Sequence, residues 1–229
     1  MRQMNVAEIK KAIKRIIKDH VDVFRQIGSS QPKLLELAAI TGLAQHYKSH
    51  GYAVKVVNPK GKKSFAVKTS TRGYPWNFSR IVATKDSASA ELHMNLMVRS
   101  AHDEGIYCVD VGVVEGTVIP AEKPKTAWLC LDNASLLTFA EVKKLVVYPM
   151  LLAQFLGIVH EIKPSFLTSP SSLDPAHLPP ALIALGHFSG NAAVIVRSYT
   201  SRGIHVTIAE NYDMRLARVR GGSANSPFS

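Results

Sequence analysis

The sequence predicts an α/β fold, and three observations carry that prediction. Residues 91–99 alternate, with Glu91, His93, Asn95, Met97 and Arg99 on one side and Leu92, Met94, Leu96 and Val98 on the other, the period-two signature of a strand with one buried face. Apolar residues at helical spacing stand before this region, over 32–49, and after it, from Tyr148-Pro149 to about Glu161. A second apolar run, Ala181-Leu182-Ile183-Ala184-Leu185-Gly186, then reads as a buried strand beyond the second helix.

The elements follow in order. Over 6–24, Ile9, Ile13, Ile16, Ile17 and Phe24 fall at helical spacing with Lys10, Lys11, Lys14, Arg15 and Lys18 around the opposite side. Such a helix presents a solvated face or lies along a phosphate backbone. Gly28-Ser29-Ser30-Gln31-Pro32 breaks the chain, and Pro32 suits the first turn of the next helix, which Gly51 ends. Tyr52–Val57 reads as a strand and Asn58-Pro59-Lys60-Gly61-Lys62-Lys63 as an exposed basic turn. Ile106–Val114 and Trp128–Leu131 read as further strands, Asp132-Asn133-Ala134-Ser135 as a turn, and Leu136–Lys143 as the strand that returns from it. Residues 163–180 read as a loop. Ser189 is the expected cap of a helix over 190–202 that Gly203 terminates, and His205–Ala209 forms the last strand. The chain divides into a basic helical extension (1–30), an α/β domain (31–212) and a basic tail expected to be disordered (213–229).

A net charge of +11 favours a polyanionic partner, nucleic acid before an acidic membrane surface. Cys108 and Cys130 are too few for a disulfide framework or a four-ligand zinc site, and in their apolar surroundings read as reduced, buried thiols of a cytoplasmic protein. The apolar stretch Leu145–Val159 is interrupted by Pro149 and Gln154 and is too short to span a bilayer, so no membrane association is expected. No H-E-x-x-H, C-x-x-C, G-x-S-x-G, phosphate-loop or dinucleotide motif occurs. Tyr74-Pro75-Trp76-Asn77-Phe78 reads as an aromatic cluster beneath a loop or as a surface for stacking bases.

Thr138-Phe139-Ala140-Glu141-Val142-Lys143 carries the chemistry. On a strand, Glu141 and Lys143 share a face, where the carboxylate can hold a divalent cation and the ammonium can polarise a phosphate or a water. On a helix, Thr138-x-x-Glu141 is instead a capping box. Asp110, inside the apolar run Tyr107–Val114, requires a cation, a metal or several hydrogen-bond donors if it is buried. Glu91 offers a further carboxylate from the neighbouring strand.

This combination of helix 32–49, an acidic strand residue, an E-x-K strand and a following helix resembles the PD-(D/E)xK nuclease superfamily, the fold of many restriction endonucleases and Holliday-junction resolvases. The resemblance implies a mixed β-sheet flanked by helices, a restriction-endonuclease-like core with an N-terminal helical extension. It also implies Mg²⁺ (or Mn²⁺) held by Asp110 and Glu141, with Lys143 positioning or polarising the nucleophilic water; Glu91 is a third candidate ligand. The family's aspartate commonly follows a proline, and here neither Asp110 nor its rival Asp132 does. If Asp132 sits at a hairpin tip, about six residues of strand at about 3.3 Å each would keep it roughly 20 Å from Glu141. Asp110 can adjoin Glu141 if their strands pair. The expected function is metal-dependent endonucleolytic hydrolysis of DNA, for which the resemblance admits a homodimer, and the alternative is a non-catalytic nucleic-acid-binding or assembly protein on the same fold. Lys10, Lys11, Lys14, Arg15 and Lys18 are the expected phosphate contacts.

Overall fold

A computed structural model describes Val23, Gln26 and residues 30–125, 128–168 and 177–212. The expected phosphate contacts Lys10, Lys11, Lys14, Arg15 and Lys18, and the tail over 213–229, lie outside these residues.

Helix α1 (Gln31–Ser49) begins with proline in its first turn, and Gly51, at φ +84°, takes up the left-handed conformation that follows its end. Leu35, Ala39, Ile40, Leu43 and Tyr47 recur every three or four residues and are buried. They pack on one face of a seven-stranded mixed sheet whose spatial order is its chain order. Strands β1 (Ala53–Val57), β2 (Arg80–Lys85), β3 (Ala88–Arg99), β4 (Ile106–Glu115) and β5 (Leu136–Lys143) run antiparallel in succession. Strands β6 (Ala181–Ala184) and β7 (Thr207–Ala209) continue parallel to β5.

Parallel neighbours need crossovers, and helices supply them. Helix α2 (Pro149–Ile162) and the short α3 (Ser165–Thr168) lie between β5 and β6, and α4 (Ala192–Ser201) joins β6 to β7. Leu152, Phe155 and Val159 of α2 and Val196 of α4 pack with Leu182 and Ile208 on the face opposite α1. The result is three layers, helix, sheet and helices, with an apolar core on each side of the sheet. Among the described residues no helix is long and apolar enough to cross a membrane.

Several expectations change. Residues 136–143 form a strand, so Thr138 and Glu141 are not a capping box. Residues 128–131 give only an isolated bridge, Leu131 to Val98. Strand β2 had no counterpart in the sequence reading, because its hairpin to β3 turns on Asp86-Ser87, without the glycine that marks most two-residue turns. Asn191, not Ser189, holds the N-cap position of α4, without a side-chain hydrogen bond, and the Ser189 hydroxyl donates to the Val147 carbonyl. Cys108 and Cys130, expected to be buried, are both only half-buried.

The largest correction concerns β3, which is buried on both faces. Leu92 and Met94 belong to the α1 core, whereas Leu96 and Val98, of the same parity, belong to the α2 core. Between them Asn95 adopts φ +49°, and the paired strand changes core at the same line, with Val111 in the α1 core and Val109 in the α2 core. The register with β4 is kept, as Met94 pairs with Val111 and Leu96 with Val109. Leu96 crosses over Gly112, where a Cβ would stand 2.7 Å from its Cδ2, so any larger residue there would push the Leu96 side chain aside.

Candidate active site

Val111 pairs with Ala140 and Gly112 with Phe139 on the β4–β5 ladder. Continuing that register by one residue sets Asp110 opposite Glu141. On the other side of β4, Met94 pairs with Val111 and Leu96 with Val109, a register that sets Asn95 opposite Asp110. Asn95, Asp110 and Glu141 therefore fall on one line across three adjacent strands.

At this line the β4–β5 ladder ends, and Asp110 bridges the gap with its side chain. Its Oδ2 accepts the Val142 amide at 2.8 Å. Lys143, two residues beyond Glu141 and on the same side of the strand, places its Nζ 2.7 Å from Glu141 Oε2 and 3.2 Å from Asp110 Oδ2. The three residues expected to act together are thus brought together.

The electrostatics of the group are uneven. Glu141 is 4% exposed, and burial followed by repulsion from Asp110 pushes its carboxyl up to about 7, against the pull of Lys143. Burial works against the Lys143 charge, yet Glu141 and Asp110 outweigh it and hold the ammonium above its ordinary range. Glu141 Oε1 is buried with no hydrogen-bond partner, and an orphaned carboxylate oxygen in the interior is costly. Burial drives the Cys108 thiol up to about 11, so it is no nucleophile at neutral pH. The same thiol feels the charges of Lys68, Asp110, Glu141 and Lys33, which therefore gather around one point.

A second polar group adjoins the first, and three of its members, Glu36, Lys68 and Asn95, were not read as site residues from the sequence, where Asn95 stood only on the polar side of its strand. The Asn95 side-chain amide donates to Glu36 Oε2 at 3.0 Å and to the Lys68 carbonyl at 2.8 Å. Lys68 Nζ donates to the Asn95 carbonyl at 2.6 Å and to the Ser70 carbonyl at 2.8 Å. Lys33 closes the network on Glu36 at 2.8 Å. Glu36 gave one readable signal, a carboxylate beside the apolar stripe of α1. Lys68 gave none, since no periodic pattern surrounds it.

Glu91 is not part of this site. Its carboxylate meets Arg80 at 3.0 Å and His93 at 3.1 Å, and it faces Val114, four positions along β4 from Asp110. At about 3.3 Å per residue that is roughly 13 Å, too far to share an ion. Asp132 is also elsewhere: its Oδ1 accepts the Ala134 amide at 2.9 Å in a turn, as the Asp-Asn-Ala-Ser pattern predicts. Among the described residues a separate group, His102, His160 and Glu161, has ligand atoms within 4.8 Å of one another. Its imidazoles suit zinc and later transition metals better than Mg²⁺.

Comparison with protein-family models, with curated proteins and with solved structures finds no match in any of the three.

Asp110 and Glu141 fit a hard divalent cation. Both offer carboxylate oxygen, and Glu141 Oε1 is a buried acceptor still without a partner. Lys143 sets a fixed positive charge beside them.

Proposed function

We propose that the chain is a metal-dependent nuclease of the PD-(D/E)xK type that hydrolyses DNA phosphodiester bonds at Asp110, Glu141 and Lys143. The observation that carries this reading is the convergence of the three side chains, with Lys143 within 3.2 Å of both carboxylates and Glu141 Oε1 unsatisfied. Asp110 and Glu141 would hold Mg²⁺ or Mn²⁺, which when bound polarises the phosphate and lowers the pKa of a water.

The chain's own residues do the rest. The Val142 amide fixes Asp110 in one orientation, so the site costs little reorganisation to assemble. Lys143 offsets negative charge that develops on the attacked phosphate and helps to orient the nucleophilic water. Lys10, Lys11, Lys14, Arg15 and Lys18 would contact phosphates away from the chemistry, together with exposed Lys62, Lys63 and Arg72.

A second reading has an observation in its favour. Lys143 already pairs with both carboxylates in a half-buried network, which is also how a purely structural cluster looks. On this reading the chain is a nucleic-acid-binding or assembly protein without turnover.

Cleavage of plasmid and single-stranded DNA with and without Mg²⁺ separates the two. Glu141→Gln and Asp110→Asn should each lower metal-dependent cleavage by at least about a hundredfold while leaving DNA affinity nearly intact. Asp132→Asn should cleave normally. Near wild-type cleavage by Glu141→Gln would remove the assignment, and no cleavage by the wild-type chain with Mg²⁺ or Mn²⁺ would favour the second reading.

A further inference from the structure

Strand β2 covers β3 only as far as Leu92, and the bridge from Leu131 covers it again at Val98. Between these two coverings a cavity of about 330 Å³ opens over Asn95, Leu96 and Met97, at the lower end of the range of roughly 300–1,000 Å³ typical of small-ligand sites. Its walls are flat and apolar. Tyr74 and Leu129 line it and are 47% and 65% exposed, with Trp128 beside them.

The rings are held before any ligand arrives. Tyr74 stacks on the buried Trp76 at 4.6 Å and 7°, and Trp76 meets Trp128 edge to face at 5.6 Å and 75°. Gly73, at φ +86°, delivers Tyr74 to this position, and a Cβ there would stand 2.9 Å from the Phe78 ring.

The floor is polar and positive. Lys68 and Asn95 line the cavity from below. The Lys68 ammonium donates to the Asn95 and Ser70 carbonyls and lies 5.9 Å from the centre of the Phe78 ring, which fixes a buried cation beneath the cavity. Asn95 is also the residue opposite Asp110 in the β3–β4 register. Adjacent strands lie about 4.8 Å apart, so the cavity adjoins the carboxylate line.

We propose that this cavity receives the base of an unpaired nucleotide next to the phosphate held at Asp110 and Glu141, which makes single-stranded or locally unpaired nucleic acid the substrate class. The inference rests on the nuclease reading for its neighbour. A planar heterocycle with acceptor atoms matches flat aromatic walls over a cationic floor, and a net charge of +11 favours a polyanionic chain as its carrier. A base inside an intact duplex cannot present its face to Tyr74 and Trp128 without leaving its stack.

The test uses the full chain with Ca²⁺ in place of Mg²⁺, titrated with a short single-stranded oligonucleotide and with an abasic backbone of the same length. Wild-type protein should bind the base-bearing strand about tenfold more tightly or better. Trp128→Ala and Tyr74→Ala should remove most of that preference and leave affinity for the abasic strand unchanged. Trp128→Phe, which keeps a ring against Trp76, should retain it, which separates lost stacking from lost folding. Equal wild-type affinity for the two strands, or an equal loss on both in Trp128→Ala, would overturn the base site. Mg²⁺-dependent cleavage alongside either result would leave the nuclease reading standing by itself. Base-dependent binding through Trp128 without cleavage would keep the base site and remove the nuclease.

Discussion

Glu36 and Asn95, 59 positions apart in the chain, meet inside the protein: the Asn95 amide donates to the Glu36 carboxylate at 3.0 Å. The contact ties α1 to the middle of β3 at the residue whose backbone is left-handed and at which the strand changes core.

Asn95 therefore combines two constraints that substitution separates. Asn95→Ala removes two buried hydrogen bonds, one of them to a charged group, and places an alanine in the left-handed region, for a total cost of roughly 3 kcal/mol. Asn95→Gly loses the same bonds without the backbone penalty and should be about 1 kcal/mol less damaging. Urea denaturation of the two variants reads the difference directly. A glycine variant as unstable as the alanine variant would show that φ +49° carries no strain here.

Glu141 makes stability depend on pH in a direction opposite to that of an ordinary ion-paired carboxylate. Its folded pKa is raised from 4.5 to about 7. Below pH 4.5 both states are protonated and there is no penalty. Between 4.5 and 7 the unfolded chain ionises while the folded one keeps its proton, and above 7 the full penalty stays, at most about 3 kcal/mol. Without metal, Glu141→Gln should thus melt a few degrees above the wild type at pH 8, and the gap should close as pH falls through this window. Mg²⁺ should raise the melting temperature of the wild type at pH 8 and not that of the variant. A gap that stays constant from pH 5 to pH 8 would contradict the raised carboxyl.

His93 has the reverse dependence. Burial, aided by Arg80, lowers its pKa below 6.5 despite the pull of Glu91. A depressed folded pKa contributes stability that is present above 6.5 and is lost as pH falls toward the folded value, by up to about 1.4 kcal/mol per pH unit. Glu91, whose own pKa is lowered, contributes only at more acid pH. His93→Gln should accordingly flatten the loss of stability between pH 6.5 and 5 in urea titrations. A variant that falls as steeply as the wild type would assign the acid sensitivity to other groups.

What was legible in the chain follows from how local each signal is. Helix α1 was readable from Pro32, Gly51 and the apolar spacing between them, and α2 from Pro149 and the run after it. Asp110 and the Glu141–Lys143 pair were readable because an acid inside an apolar strand demands a partner. Glu91 looked equally eligible, since nothing nearby revealed that Arg80 would arrive beside it from a strand the sequence did not announce. The burial of Lys68 depends on a loop folding over β3, and no pattern of period two or 3.6 records such a contact.

The change of side at Asn95 also partitions the molecule energetically. Leu92 and Leu96 occupy one strand at equal parity, yet the first packs beneath α1 and the second beneath α2. They stand about 13 Å apart along the strand, a separation at which substitutions ordinarily add. Each hydrophobic layer can therefore drift in sequence with its own helices, while the residues between them, Asn95, Asp110 and Glu141, answer to both.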